Sequence, residues 1–297
     1  MTRTTALGTI VTVGLLTAAV AGQQAPRAVL PDAQKVKDNF YIVTASSPVD
    51  RTQFTGGNIG IFITDGGVVL VDTKLAGYGP DILAKIRAVT PKPVTTIINT
   101  HAHGDHTGSN EAFPATVDFV AHENTKTNMA KMDAFAGAKA AFLPKRTYKD
   151  KMSIGTGKDQ VDLYYFGPGH TSGDTFVAYP ALRILQTGDM FAWKDAPLID
   201  RANGGSGAEY SKTLAKAIAG IQNIDTIIPG HNPVSTPADL QQYQQYTADL
   251  FTQVEAAAKA GKDANAAFDG LNLTKYTGYR SDRVKGAVDA IYAELGK

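Results

Sequence analysis

The apolar run "VTTIINT", residues 94–100, empties directly into "HAHGDHTG", so that His101, His103, Asp105 and His106 fall within six consecutive positions. The chain has six histidines in 297 residues, and half of them stand in this one glycine-broken stretch. The β-branched residues of the run make it a strand, so the four polar side chains sit at a strand end. Two further histidines share that setting: His170 closes "YYFGPGH" and His231 closes "DTIIPGH", each after an apolar strand and a Pro-Gly pair. Asp189 closes "RILQTGD" in the same way. Four strands therefore each end in an imidazole or a carboxylate. Side chains at the ends of neighbouring strands converge on one edge of a sheet, where a rigid scaffold holds them.

The remaining sequence supplies such sheets. "FYIVTA" and "NIGIFITDGGVVLVDT" read as strands, with Asp65-Gly66-Gly67 as a hairpin turn inside the second. "GPDILAKIRAVT" has helical spacing at Ile82, Ile86 and Val89 and stops before Pro91. "DFVAH" reads as another strand, followed by a helix-tolerant polar region from Glu123 to Ala141. The second half repeats this grammar, with strands at "QVDLYYFG", "TFVAYP", "RILQTGD" and "DTIIPGH" and a helix from Glu209 to Ile221. From Thr236 the chain turns helical: Thr236 caps, Pro237 fits the first helical position, and Leu240, Tyr243, Leu250, Phe251 and Val254 mark an apolar face. No linker or low-complexity tract divides the chain, so the expectation is one α/β domain with two sheets covered by helices.

Composition narrows the partners. The chain is 43% hydrophobic and 19% charged, enough for a substantial core. Its 29 basic and 28 acidic residues leave a formal charge of +1, with no basic stripe or acidic tail, so neither nucleic acid nor an anionic membrane is suggested as a partner. There is no cysteine, which excludes disulfides and a lipid-modified cysteine. At the N-terminus a single Arg3 precedes an uncharged run from Ala6 to Gly22 and then small residues, the order of a secretory signal peptide. That run is short for the roughly 20 apolar residues of a membrane span. The plan expected is a signal peptide over 1–23, an N-terminal extension over 24–37 and a single domain over 38–297, exported to the periplasm or secreted, with no stable membrane partner once the signal is removed.

Imidazole and carboxylate are the ligands Zn²⁺ takes where cysteine is absent. Five imidazoles and two carboxylates fill two sites of three ligands each and leave one carboxylate to bridge. His122, in "FVAHENT", stands alone, and a lone histidine is more often a surface or core residue than a ligand, so it reads as structural.

"THAHGDH", "GPGHTSGD", "QTGD" and "IIPGH" resemble, in order, the successive ligand motifs of the metallo-β-lactamase-fold hydrolases, and the likeness runs from about Asn39 to Pro233. The resemblance implies an αββα sandwich of two mixed β-sheets flanked by helices, with the metals at one edge. It implies that His101, His103 and His170 hold one Zn²⁺, that Asp105, His106 and His231 hold the other, and that Asp189 bridges them, with iron or manganese as alternative ions. Asp72, in "VVLVDT", matches a strand-end acid that supports a ligand from behind. Asp189 stands where the zinc β-lactamases with a cysteine ligand carry that cysteine, while His106 resembles the all-histidine/aspartate sites of lactonases and related hydrolases. "ANGGSGAEYSKTLAKA" resembles a loop and helix of secreted β-lactamases, which makes Asn203 the counterpart of a substrate-binding asparagine.

The activity this implies is hydrolysis of an acyl bond, of β-lactam, lactone or ester type, by a metal-held hydroxide that Asp105 orients. Residues 46–57 on one side and Phe191, Trp193 and Lys194 on the other are expected to wall the cleft, Lys194 meeting a substrate carboxylate. Thr171 and Ser172 shape the loop beside His170. Two rivals stay open: an iron-dependent oxidoreductase of the same fold, and a non-catalytic exported metal-binding protein.

Overall fold

The computed structural model describes residues 27–45 and 52–297; the expected signal peptide and residues 46–51 lie outside the described residues. Seven strands form the first sheet and lie side by side in chain order: β1 (Gln34–Lys37), β2 (Phe40–Val43), β3 (Ile59–Thr64), β4 (Gly67–Val71), β5 (Val94–Ile98), β6 (Asp118–His122) and β7 (Arg146–Tyr148). The first four pair antiparallel and β4 to β7 pair parallel. Five strands form the second sheet: β8 (Lys151–Ile154), β9 (Val161–Tyr164), β10 (Phe176–Tyr179), β11 (Ile184–Gly188) and β12 (Thr226–Pro229). These pair antiparallel except for the parallel β11–β12 ladder.

Alternation along the strands sorts the core into layers. In β4, Val69 and Val71 face the second sheet and meet Leu163, Val177 and Ile228, while Val68 and Leu70 face outward. That outer face is covered by α1 (Gly79–Val89), whose Ile82 and Ile86 are buried against Ile61, Leu70 and Ile97. The outer face of the second sheet is covered by α4 (Gly207–Gly220), α5 (Pro237–Lys259) and α7 (Val284–Glu294), with the short helix α6 (Ala264–Asp269) beside them. Helix, sheet, sheet and helix make the expected sandwich.

Strand direction explains which ends carry function. β4, β5 and β6 run parallel, so Asp72 and the histidine stretch emerge from the same edge. In the second sheet β9 and β11 are each antiparallel to β10 and hence run the same way, and β12 follows β11. His170, Asp189 and His231 therefore leave one edge, and no ligand follows β10.

The "DGG" hairpin forms as expected, with Thr64 paired to Gly67 across it. The domain boundary at 38 needs correction, because β1 pairs with β2 and lies inside the stretch assigned to an N-terminal extension. Its sequence, QKVK, is that of a polar edge strand with no apolar alternation to betray it. β7 and β8 are also additional to the expectation, being short and partly exposed. The histidine stretch carries a one-turn helix, α2 (Gly104–Thr107), and the helix-tolerant region resolves into one short helix, α3 (Glu123–Met129), followed by isolated turns.

α5 opens on a reciprocal cap: Thr236 Oγ1 accepts from Asp239 N–H at 3.2 Å, and Thr236 N–H donates to Asp239 Oδ2 at 3.0 Å. Thr236→Ala should lower stability by about 1 kcal/mol, read as a shift in the urea midpoint without a change of slope.

Candidate metal centre

Six of the seven expected ligands are gathered by the loops after β5, β9 and β12 into two overlapping triads, with the seventh between them. In the first triad His103 Nδ1 lies 2.9 Å from His170 Nε2, and His101 Nε2 is buried with no hydrogen-bond partner. In the second, His106 Nε2 lies 3.2 Å from His231 Nε2, and Asp105 Oδ2 is 3.3 Å from His231 Nε2 and 3.7 Å from His106 Nε2. Asp189 stands between them, its Oδ1 at 3.3 Å from both His106 Nε2 and His231 Nε2 and its Oδ2 at 3.8 Å from His170 Nε2. The donor atoms of His101, His103 and His170, and those of Asp105, His106 and His231, each lie within 4.8 Å of one another. A tetrahedral ion with bonds of 2.0–2.1 Å spaces its ligand nitrogens by about 3.3 Å. The donor set therefore fits divalent ions closely, and the orphaned Nε2 of His101 has its explanation in one.

The far nitrogen of four rings is held. His101 Nδ1 meets Thr100 Oγ1 at 3.0 Å, His103 Nε2 meets Asp200 Oδ2 at 2.6 Å, His106 Nδ1 meets Asp72 Oδ2 at 2.7 Å, and His170 Nδ1 meets the Leu198 carbonyl at 2.7 Å. Such partners fix the tautomer and the aim of a metal-binding imidazole. Asp72 takes the supporting place that the family resemblance implied. Asp200 was not foreseen: it lies 97 positions from His103, and nothing local in "LIDRAN" marks it.

The two triads differ electrically. Burial, with His106 and His170 beside it, holds His101 well below the usual histidine range, and burial with His103 lowers His170. Burial works against charge at His106 and His231 too, but Asp105, Asp189 and Asp72 hold His106 well above the usual range, and Asp189 and Asp105 raise His231. The same attraction overrides burial at Asp189 and holds its carboxyl well below the usual range. His103 is raised as well, Asp200, Asp189 and Asp105 together outweighing its burial. Metal needs neutral imidazole, so loading the metal-free protein at pH 7 should release protons and tighten as pH rises through neutrality. Calorimetry in two buffers of different ionisation enthalpy measures that release.

The backbone comes unusually close behind the centre. A Cβ on Gly230 would fall 1.9 Å from Asp189 Oδ1, and one on Gly57 would fall 2.2 Å from the His106 ring. Gly57 N–H donates to the Asp105 carbonyl at 2.9 Å. Beside it Lys74 is fully buried, its ammonium donating to the Thr44 carbonyl at 3.1 Å and the Gly57 carbonyl at 2.9 Å. Burial pulls that ammonium down to about 7, against the pull of Asp105. Gly57→Ala should displace His106 and lower the divalent metal retained per chain, as counted by elemental analysis after dialysis.

The expected substrate residues fare differently. Asn203 donates through Nδ2 to Asp200 Oδ2 at 2.6 Å, so its amide supports the carboxylate behind His103. Lys194 is corrected: its ammonium pairs with Asp239 at 2.7 Å, at the start of α5, which engages the charge expected to meet a substrate carboxylate. Phe191 is corrected too, since it is fully buried against Tyr243 in the core outside the second sheet. Trp193 does stand beside the centre, its ring 5.4 Å from that of His231. Thr171 Oγ1 donates to Asp174 and Ser172 N–H to the Asn203 carbonyl, both shaping the loop as expected. His122 lies outside the cluster, bound to the Lys149 carbonyl and stacked on Tyr165.

With this geometry in place the relatives are informative. The sequence model of the metallo-β-lactamase superfamily matches residues 52–231, and the chain belongs to that superfamily. The metallo-β-lactamase type 2 of Elizabethkingia meningoseptica is 25% identical over 261 residues, covering 84% of this chain and 96% of the relative. A 33% identical stretch of 129 residues matches the 2,4-dinitroanisole O-demethylase subunit alpha of Nocardioides sp. (strain JS1661), 42% of this chain and 38% of that one. Among solved structures, a metallo-β-lactamase from Pontibacter korlensis superposes with a TM-score of 0.63 at 22% identity over 74% of this chain and 99% of its own. A double mutant of the sec-alkyl sulfatase PisA1 reaches 0.73 at 13% identity over 89% of this chain and 50% of its own. The site is thus a divalent-metal centre of metallo-β-lactamase type, built from histidine and aspartate. No helix among the described residues is long and apolar enough to cross a membrane.

Proposed function

We propose that this chain is an exported hydrolase that uses two divalent ions, zinc foremost, to cleave an acyl bond of β-lactam, lactone or ester type in a small-molecule substrate. The observation that carries the reading is Asp189, whose two oxygens face the two triads separately, 3.3 Å from His106 and His231 and 3.8 Å from His170. Export is supported by the signal-type N-terminal sequence. Ions bound there supply an activated water at neutral pH and polarise a carbonyl oxygen.

The protein's own groups do the remaining work. Asp105 is 21% exposed where Asp189 is 7%, so Asp105 is the ligand carboxylate open to water and substrate. His106 and His231 hold it ionised despite burial, placed to orient the attacking water through its free oxygen. His103, equally open at 22%, is locked by Asp200. Beside His170, Thr171 Oγ1 donates to Asp174 and Ser172 Oγ accepts from Asn128, so both hydroxyls are engaged in holding the loop.

A zinc-loaded sample tested on a cephalosporin reporter, an acyl-homoserine lactone, a thioester and a phosphodiester should turn over the lactam or the lactone. Asp105→Asn should cut kcat by about a hundredfold with the circular dichroism spectrum unchanged. A protein that holds two zinc ions and hydrolyses none of the four is not the enzyme proposed. One that retains iron and consumes oxygen is an oxidoreductase on the same fold.

A further inference from the structure

Four imidazoles of the centre are held from behind by a hydrogen bond, and the fifth is not. His231 Nδ1 is buried and has no hydrogen-bond partner among the described residues. Rings hold it instead. Phe54 lies 5.6 Å away, tilted by 35°, and Trp193 lies 5.4 Å away at 73°, an edge-to-face arrangement. Trp193 is in turn covered by the guanidinium of Arg283, 4.1 Å from the indole centroid. A guanidinium at that distance is attracted to the ring face.

Arg283 belongs to the segment that leads into α7, well past residue 231 where the superfamily match ends. That segment is stitched to the loop bearing Trp193. Arg280 N–H donates to the Lys194 carbonyl at 2.8 Å, and Arg283 N–H donates to Asp195 Oδ1 at 3.4 Å. The loop is stitched to the ligand, since His231 N–H donates to the Ala192 carbonyl at 2.9 Å. Asp282, the acid next in the chain, is bound by Arg280 at 2.7 Å. The Trp193 ring is thus the partner that the structure gives the Arg283 guanidinium.

We propose that Arg283 and Trp193 are positioning residues for His231: their stack stands in for the absent hydrogen bond, so that the C-terminal segment sets how tightly the Asp105–His106–His231 triad holds its ion while leaving the other triad alone. The inference rests on the seven donors forming a two-ion centre, and its test needs no substrate.

Trp193 is the single tryptophan of the chain, so its fluorescence reports on this corner of the centre. Metal-free full-length protein titrated with Zn²⁺ should fill in two steps. In Arg283→Gln one step should be unchanged and the other weakened about tenfold, the scale of losing a group that orients a ligand. Arg283→Lys, which keeps a cation over the indole, should recover most of the loss. Should Arg283→Gln fold poorly, Arg283→Met keeps the apolar stem, and Trp193→Phe, followed with a competing chromogenic chelator, must show the same selective loss. Both steps as tight as in the wild type, or both weakened alike, overturn the inference alone. Wild-type protein that takes up no Zn²⁺ overturns the two-ion reading along with it.

Discussion

One buried carboxylate organises the centre. Asp72 leaves β4 with a left-handed φ of 64° and is almost wholly out of contact with water. It accepts from Thr100 N–H at 2.8 Å and Thr100 Oγ1 at 2.7 Å and faces His106 Nδ1 at 2.7 Å. A buried carboxylate without partners would be too costly to keep, so these contacts are conditions of its presence. They also transmit. His106 is aimed directly, while His101 is aimed through Thr100, whose hydroxyl meets its Nδ1. One ring from each triad thus takes its orientation from the same side chain, and the strained backbone at Asp72 is where that control is installed.

The centre is asymmetric in charge. Three imidazoles make up one triad, and two of them are held on the neutral side by burial and by one another. The other triad contains Asp105, faces Asp189 at short range and keeps its rings basic. Two adjoining triads of different polarity result from one fold edge. The polarity follows from which strand ends carry carboxylates rather than from any difference in burial, since both triads are deeply enclosed.

Much of this was legible in the sequence because it is local. A strand running into His101–His106, and Pro-Gly pairs before His170 and His231, are short-range patterns, and strand direction does the long-range assembly. The sandwich followed from alternating strands and helices. What escaped had no local signature. The QKVK strand is polar, and Asp200 reaches His103 only through tertiary folding. Lys194 and Phe191 sit in a stretch whose composition suits a cleft wall, yet Asp239 and Tyr243, both from α5, draw them away. Loop side chains choose partners by proximity in space, and sequence spacing does not encode that.

Lys74 has a consequence of a different kind. Its ammonium grips the carbonyls of Thr44 and Gly57 at once, and Asn58 Oδ1 accepts from Ala45 N–H at 2.6 Å. The two feet of the stretch between 45 and 57 are therefore bolted together independently of whatever spans them. Lengthening such a tether costs only about 0.6 kcal/mol for each doubling. A change of length between these feet leaves both clamps intact, provided Phe54 keeps its place against His231.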